Sequence, residues 1–204
     1  WLGQKIEMHD LDMGIWKYSY DAIGNLVDQE DAKGQKIRLV YDELNRLTEK
    51  KNAVTDDPIS SYTYGSSQGV YGLRTHMSDA SGETSWSYSD FRHSITESRK
   101  IADITKTVTS TTDWLGRTLS ITNPDNDVIT YSYDSLGRPE DVTSSAVNGQ
   151  TIASLAYNAL SQIIGTTLGN GIEIENTYNS SQKLSIRKAT LGNNPSLIDF
   201  AYNY

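Results

Sequence analysis

One feature fixes most of what this chain can fold into: a tyrosine-led signature recurs every 21 to 24 residues. Tyr20-Asp21, Tyr41-Asp42, Tyr64-Gly65, Tyr88-Ser89, Thr112-Asp113, Tyr133-Asp134, Tyr157-Asn158, Tyr178-Asn179 and Tyr202-Asn203 follow one another at intervals of 21, 23, 24, 24, 21, 24, 21 and 24. Eleven of the 13 tyrosines lie at these anchors or two residues before them, as in Tyr18/Tyr20, Tyr62/Tyr64 and Tyr131/Tyr133. Trp1-Leu2-Gly3-Gln4 aligns with Trp114-Leu115-Gly116-Arg117, which places one more anchor position just before Trp1. Self-similarity at such a period marks a repeat architecture, in which one supersecondary unit is copied and each copy packs on its neighbours.

Each unit reads as two strands. Before an anchor the chain alternates, as in Ile129-Thr130-Tyr131-Ser132-Tyr133 and Ile172 to Tyr178, so that anchor and anchor −2 share one sheet face. Aromatic and β-branched residues suit such a half-buried surface. The opposite face is polar, most plainly in Thr105, Thr107, Thr109 and Thr111. After the anchor comes a turn: Asp21-Ala22-Ile23-Gly24-Asn25, Asp42-Glu43-Leu44-Asn45-Arg46, Asp113-Trp114-Leu115-Gly116-Arg117 and Asp134-Ser135-Leu136-Gly137-Arg138. Asp at its head can accept a backbone N–H two residues on, and Gly or Asn in fourth place admits φ > 0. Asp31-Ala32-Lys33-Gly34, Asp79-Ala80-Ser81-Gly82, Asn148-Gly149 and Asn170-Gly171 supply the return turns. The expectation is an all-β array over residues 1–204, with about nine hairpin units and roughly 18 antiparallel strands. Open sheets of more than about ten strands rarely stay uncurled, so a curled or spiral sheet is expected. The longer units are read as longer turns, with Gly65-Ser66-Ser67-Gln68-Gly69 as a loop insertion.

Composition supports a thin sheet over a thick core. Leu, Ile, Val and Phe number 43 of 204 residues, fewer than the 44 Ser and Thr, and 13 Tyr stand against two Phe. A net charge of −8 opposes a nucleic-acid surface, which needs clustered Lys and Arg. No apolar run approaches the ~20 residues of a membrane helix, so no membrane insertion is expected. With no cysteine there is no disulfide, thiol nucleophile or Cys-ligated zinc.

The segments Tyr18-Ser19-Tyr20-Asp21-Ala22-Ile23-Gly24-Asn25-Leu26 and Tyr131-Ser132-Tyr133-Asp134-Ser135-Leu136-Gly137-Arg138 resemble the YD-repeat signature of the Rhs/YD family. That family comprises bacterial Rhs proteins, Tc toxin shell subunits, wall-associated proteins and teneurins. The likeness extends along the whole period and is sharpest at Tyr20, Tyr41, Tyr133 and the Thr112-Asp113 unit. It implies hairpins wound into a spiral sheet that closes as a hollow shell, in bacterial members around a C-terminal toxin domain released by an autoproteolytic core. The core motif of that protease, Asp-Pro-x-Gly-Leu, is absent, because the sole Asp-Pro, Asp57-Pro58, continues into Ile59-Ser60. The resemblance therefore carries over only the strand-and-turn scaffold. Its implied partners are flanking YD repeats, plug or core domains of the same protein and an enclosed toxin or effector. Its implied setting is secretion or the cell surface, including delivery by a secretion system.

Sharper chemistry finds little support. Nine equivalent anchors spread along the chain are not one convergent catalytic constellation, so a packed ring and a turn cap explain Tyr20, Asp21, Gly24, Tyr41, Asp42, Tyr64, Tyr88, Asp113, Gly116, Tyr133, Asp134, Gly137, Tyr157, Tyr178 and Tyr202 as structural repeat anchors. No enzyme activity, metal or cofactor is expected. His9, His76 and His93 lack ligand spacing. Asn123-Pro124-Asp125-Asn126-Asp127 lacks the Gly and Glu of a calcium loop and reads as an Asx-rich turn. Asp28-Gln29-Glu30-Asp31 and Asp56-Asp57 read as solvated turns, and the sequon Asn179-Ser180-Ser181 coincides with a repeat turn. The alternative function is an adhesive or carbohydrate-binding module in which Trp16, Tyr71, Trp86 and Trp114 stack on glycans, against the simpler expectation that they pack between hairpins.

Overall fold

A computed structural model describes residues 3–89, 91, 93–192 and 197–204; the alignment of Trp1-Leu2 lies outside the described residues. The fold is all-β, an antiparallel sheet of 18 strands built from sequential hairpins. Contacts divide the chain into two compact units, Trp1–Thr107 and Val108–Tyr204. The first holds β1 (Glu7–Asp10), β2 (Gly14–Tyr20), β3 (Leu26–Glu30), β4 (Lys36–Tyr41), β5 (Leu47–Asn52), β6 (Pro58–Tyr64), β7 (Arg74–Asp79), β8 (Gly82–Ser89) and β9 (Ser94–Ile101). Strand β10 (Ile104–Thr112) runs from the first unit into the second. There follow β11 (Thr118–Thr122), β12 (Val128–Tyr133), β13 (Pro139–Ser144), β14 (Gln150–Tyr157), β15 (Ile163–Leu168), β16 (Ile172–Tyr178), β17 (Leu184–Leu191) and β18 (Ile198–Ala201).

In both units the register separates two kinds of face. In the second, Ile121, Ile129 and Ser144 lie in one cross-strand row, and Tyr131, Val142, Ala153 and Leu168 in the next row of the same face. Behind them Thr111, Ser120, Thr130 and Thr143 form a hydroxyl row, with Thr111 and Ser120 hydroxyls 2.7 Å apart. In the first unit the face opposite the tyrosines is charged. Lys17, Glu30 and Lys36 lie in one row, and Asp28, Arg38 and Lys51 in another. Arg38 Nε donates to Asp28 at 3.1 Å, and Lys36 lies 3.3 Å from Glu30. This corrects the reading of Asp28 and Glu30 as turn residues: they belong to β3, and their cross-strand cations offset the poor strand preference of acidic side chains.

Burial is shallow. Ala189 is the sole buried apolar residue among those described; Ser60, Thr84, Ser144 and Asn176 are buried polar ones. Cohesion therefore rests on the strand ladders and on contacts along the aromatic face.

Most anchors sit at a β-bulge, which strand alternation could not announce. Tyr20 pairs Leu26 while Ser19 pairs Asp28, leaving Val27 without an opposite residue. The same skip recurs at Tyr41 (Thr48), Tyr64 (Thr75), Thr112 (Leu119), Tyr157 (Ile164) and Tyr178 (Ser185), and the register also shifts before Tyr133. Tyr88 departs from the rule and pairs Ile95 in unbroken register. Bulges bend a strand and increase its twist, so a bulge in nearly every hairpin is a regular device.

Loop lengths vary as the period does, with one difference. Residues 65–73 form the insertion after Tyr64, and a 3-10 turn at Ser145–Val147 lengthens the return before Gly149. Asn148-Gly149 is thus the end of a longer loop, not the centre of a two-residue hairpin, although both residues have positive φ. Between Tyr88 and Thr112, in contrast, the strands themselves are long: β9 has 8 residues and β10 has 9.

Candidate functional site

The repeated element that joins neighbouring hairpins is a five-residue Asx turn. In the second, Asp42 N–H donates to Arg46 O (3.0 Å) and Asn45 N–H to Asp42 O (3.0 Å). Asp42 Oδ1 accepts from Leu44 N–H and Arg46 N–H, both at 2.9 Å. Its other oxygen receives the Arg46 guanidinium at 2.7 and 2.6 Å. Asp113 with Arg117 and Asp134 with Arg138 repeat the arrangement, and Asp21 does so with Asn25 in place of arginine. Asn158 supplies the same carbonyl to Leu160 and Gln162 N–H, and Asn179 supplies it to Lys183 N–H. The fourth residue has positive φ throughout: Gly24, Asn45, Gly116, Gly137, and also Ser161 and Gln182, which the Gly-or-Asn expectation did not include. The turn's backbone hydrogen bonds evidently outweigh the Cβ penalty at those two positions.

These contacts hold the carboxylates below their ordinary pKa. For Asp42 the largest cause is the Arg46 guanidinium, followed by the Arg46 amide. For Asp134 it is the Arg138 amide. At Asp21 and Asp113, partial desolvation pushes upward most strongly of any single cause, but the combined amide and side-chain hydrogen bonds prevail.

The anchor tyrosines latch one unit to the one before it. Tyr41 Oη donates to Leu26 O (2.9 Å), Tyr64 to Leu47 O (2.8 Å), Tyr133 to Thr118 O (2.7 Å), Tyr157 to Pro139 O (2.8 Å) and Tyr178 to Ile163 O (3.0 Å). Tyr20 reaches Lys5 O at 2.9 Å, and Tyr88 reaches Arg74 O at 2.7 Å across the longer loop. In the regular units the acceptor is the fifth residue after the Asx head, the first residue of the strand that follows. The turn arginine completes the link. Arg46 stacks on Tyr64 (4.5 Å), Arg117 on Tyr133 (4.6 Å) and Arg138 on Tyr157 (4.4 Å), each while bound to its own aspartate. Arg138 also donates to Asn158 O and Ser161 Oγ of the next turn, as Gln162 does to Gln182 O. Arginine at anchor +5 was the signal that sequence reading left unused.

Replacing Tyr133 by Phe keeps the ring and deletes the latch. The expected cost is about 1 kcal/mol, because Thr118 O loses a donor while the stacking of Arg117 persists. A urea-melt difference below a few tenths of a kcal/mol would show that water replaces the hydroxyl at no loss.

The remaining candidates are dispersed. Trp16 donates its indole N–H to Met13 O, and Trp86 donates to Glu97. Tyr71 and Trp114 are 65% and 77% exposed and lie in different units. Tyr202 donates its backbone N–H to Ser185 O at 2.9 Å. His9 lies 2.6 Å from Glu7, and His76 lies 3.9 Å from Glu83; among the described residues no three His, Cys, Asp or Glu gather as a metal site. The Asn123–Asp127 turn is closed by Asn123 N–H donating to Asp127 O, and the Asp127 carboxylate ties it to the next loop by accepting from the Ser144 and Ser145 hydroxyls and Ala146 N–H. No helix among the described residues is long and apolar enough to cross a membrane.

The chain superimposes on the crystal structure of TcdB2-TccC3 with a TM-score of 0.86 and 19% identity, over 99% of its length and 12% of that chain. On the Photorhabdus luminescens Tc holotoxin pore carrying a TccC3 mutation, the values are 0.86 and 18%, over 99% and 11%. On the crystal structure of TcdB2-TccC3-Cdc42 they are 0.83 and 19%, over 99% and 11%. The likeness at these identities is one of fold, and the chain spans a small fraction of each match. No curated protein sequence matches it significantly. Residues 20–56 and 113–151, which contain the turns headed by Asp21, Asp42, Asp113 and Asp134, match the RHS repeat.

Proposed function

We propose that residues 1–204 are one YD-repeat array, a stretch of wall in a larger RHS-type β-shell that encloses or presents another polypeptide. The observation that carries this reading is the superposition of nearly the whole chain on a segment of the Tc toxin structures. The anchors at Tyr20, Tyr41, Tyr64, Tyr88, Tyr133, Tyr157 and Tyr178 and the Asx heads then serve as unit-to-unit fasteners. A wall one sheet thick has no core to spare, and hydroxyl latches and ion-paired turns suit it. The partners are flanking repeats, plug or core domains of the parent protein and an enclosed effector, and the setting is a secreted or surface-displayed assembly. The hydroxyl and charged faces line the lumen, where they offer an unfolded payload little apolar surface to bind.

The test uses the full-length parent protein with single cysteines at Thr130 (hydroxyl face) and Ile129 (tyrosine face) and a bulky maleimide. Protection of T130C with ready labelling of I129C is expected. Equal labelling of both, or release of the enclosed portion to protease without opening the shell, would sink the proposal. A carbohydrate-binding role is the second reading, favoured by the exposure of Trp114 and Tyr71. Sugar binding on a glycan array that disappears in W114A would establish it.

A further inference from the structure

Asn148-Gly149 and Asn170-Gly171 are the two Asn-Gly pairs of the sequence, and both lie exposed in return turns of the second unit. Asparagine is a chemically labile residue. A following glycine leaves its side-chain amide carbon open to the next main-chain nitrogen, because no Cβ crowds the approach. Ring closure between the two asks two things of the backbone. The glycine N–H must leave its acceptor, and the asparagine Cα–C bond must rotate until that nitrogen meets Cγ.

The fold opposes both steps at Asn148. Gly149 N–H donates to Ser144 O at 2.8 Å and Asn148 N–H to Ser145 O at 3.1 Å. Those acceptors are themselves fixed. Ser144 is 5% exposed, and the Ser144 and Ser145 hydroxyls and Ala146 N–H all donate to Asp127, at 2.8, 3.0 and 2.9 Å. With φ 57° and ψ 34°, Asn148 also turns Gly149 N away from its own side chain, so closure requires nearly a half-turn about Cα–C.

Asn170 is held far less. Gly171 N–H donates to Leu168 O at 2.8 Å and Gly169 N–H to Ile152 O at 2.9 Å, and of these the first alone must break for closure. Glycine stands on both sides of Asn170, so no neighbouring side chain resists the rotation. The carboxamide oxygen accepts from Ile172 N–H at 3.2 Å, which keeps the group beside the Gly171 peptide and draws electron density from Cγ.

We infer that Asn170 is a site of spontaneous covalent modification, with water as the co-reactant. The Gly171 nitrogen attacks Asn170 Cγ. A bond forms between them as Cγ–Nδ2 breaks, and the proton lost by Gly171 leaves with Nδ2 as ammonia. Water then opens the cyclic imide. Addition at Cγ restores the main chain with aspartate at 170; addition at the main-chain carbonyl leaves isoaspartate, whose peptide runs through Cβ and Cγ. One water is consumed, one ammonia is released and nothing is oxidised or reduced. Either product adds a negative charge to the turn that leads into Glu173 and Glu175, and isoaspartate also lengthens that turn by one main-chain carbon. This goes beyond the shell reading and stands or fails separately from it.

The test holds the intact chain at mildly alkaline pH, natively and in urea, and follows both sites by peptide mass mapping and an isoaspartyl methyltransferase assay. In urea the two pairs are expected to convert at similar rates. In the native chain Asn170 is expected to convert about tenfold faster than Asn148 or more, since several additional hydrogen bonds must open at Asn148. D127A is expected to raise conversion at Asn148 and leave Asn170 unchanged, the unchanged rate showing that the sheet persists. If that variant unfolds, the native-against-urea comparison decides alone. Equal native rates at the two sites, faster conversion at Asn148, or a native Asn170 that stays intact while its urea counterpart is consumed would overturn the proposal. So would a difference between the sites that persists in urea, which would place its cause in the adjoining residues and not in the fold.

Discussion

The resistance of this protein to urea is expected to hold nearly constant from neutral pH down to about pH 5 and to collapse below about pH 4. The sign follows from the turns. Asp21, Asp42, Asp113 and Asp134 have folded-state pKa values below the usual ~3.9 of an unfolded aspartate, as do Asp10, Asp79 and Asp127. A carboxyl with a depressed folded pKa binds fewer protons in the native state than in the unfolded one. Its contribution is complete above the unfolded pKa and disappears as pH falls through the folded pKa. The physical event is loss of an acceptor: a protonated Asp134 no longer holds the Arg138 guanidinium that also stacks on Tyr157 and reaches the next turn. Both units contain such turns, so both are expected to lose structure on acidification. D113N/D134N should flatten the acid slope of the second unit and lower its stability at pH 7. The asparagine carbonyl still serves the turn amides, as Asn158 does naturally, but has no charge for arginine. A midpoint indifferent to pH between 6 and 3, or an undiminished slope in the double variant, would refute the argument.

How far the sequence disclosed this structure depends on which interactions repeat within a short window. The anchors and Asx heads were visible because ring, acid and glycine recur at fixed offsets, and a turn is a local object. The strand number followed from the same count. What escaped was relational. Val27, Thr48 and Ile164 look like ordinary strand residues, and only the partner strand shows that nothing faces them. The acceptor of each tyrosine hydroxyl lies 14 to 18 residues back in the chain and is a backbone carbonyl, to which any residue type contributes equally. Arg46, Arg117 and Arg138 recur visibly, but their simultaneous contact with carboxylate and ring joins two successive hairpins. Asp28 and Glu30 were misplaced because their partners, Arg38 and Lys36, lie across a hairpin whose register was unknown. The division of the chain at Thr107/Val108 falls within β10, near Thr112, where the tyrosine is missing.

Among single substitutions, G82A is expected to be the most damaging, by about 3 kcal/mol or more. Gly82 opens β8 directly across from Ile101, with φ of +150°. A Cβ there would clash with Lys100 O at 2.0 Å and crowd Lys100 C and Ile101 Cα at 3.1 and 3.2 Å, so the obstacle is backbone on every count. No rotamer change relieves such a clash; β8 must move away from β9, and that gives up ladder hydrogen bonds in a unit with almost no buried apolar surface to compensate. G34A isolates the conformational part. Gly34 also has positive φ (+76°), but a Cβ there meets nothing within 4 Å, so the cost should be about 1 kcal/mol. Two further positions separate rigid from yielding neighbours. Gly65 faces Val70 O at 2.3 Å, whereas Gly137 faces only the Arg117 guanidinium at 2.9 Å, which can swing aside at the expense of its stacking on Tyr133. The expected order of urea midpoints is therefore G34A above G137A, with G65A and G82A lowest. If G82A were as stable as G34A, the close approach of β8 to β9 would not exist in solution. If G137A fell to the level of G82A, Arg117 would be held far more firmly than a half-exposed side chain on a thin sheet should be.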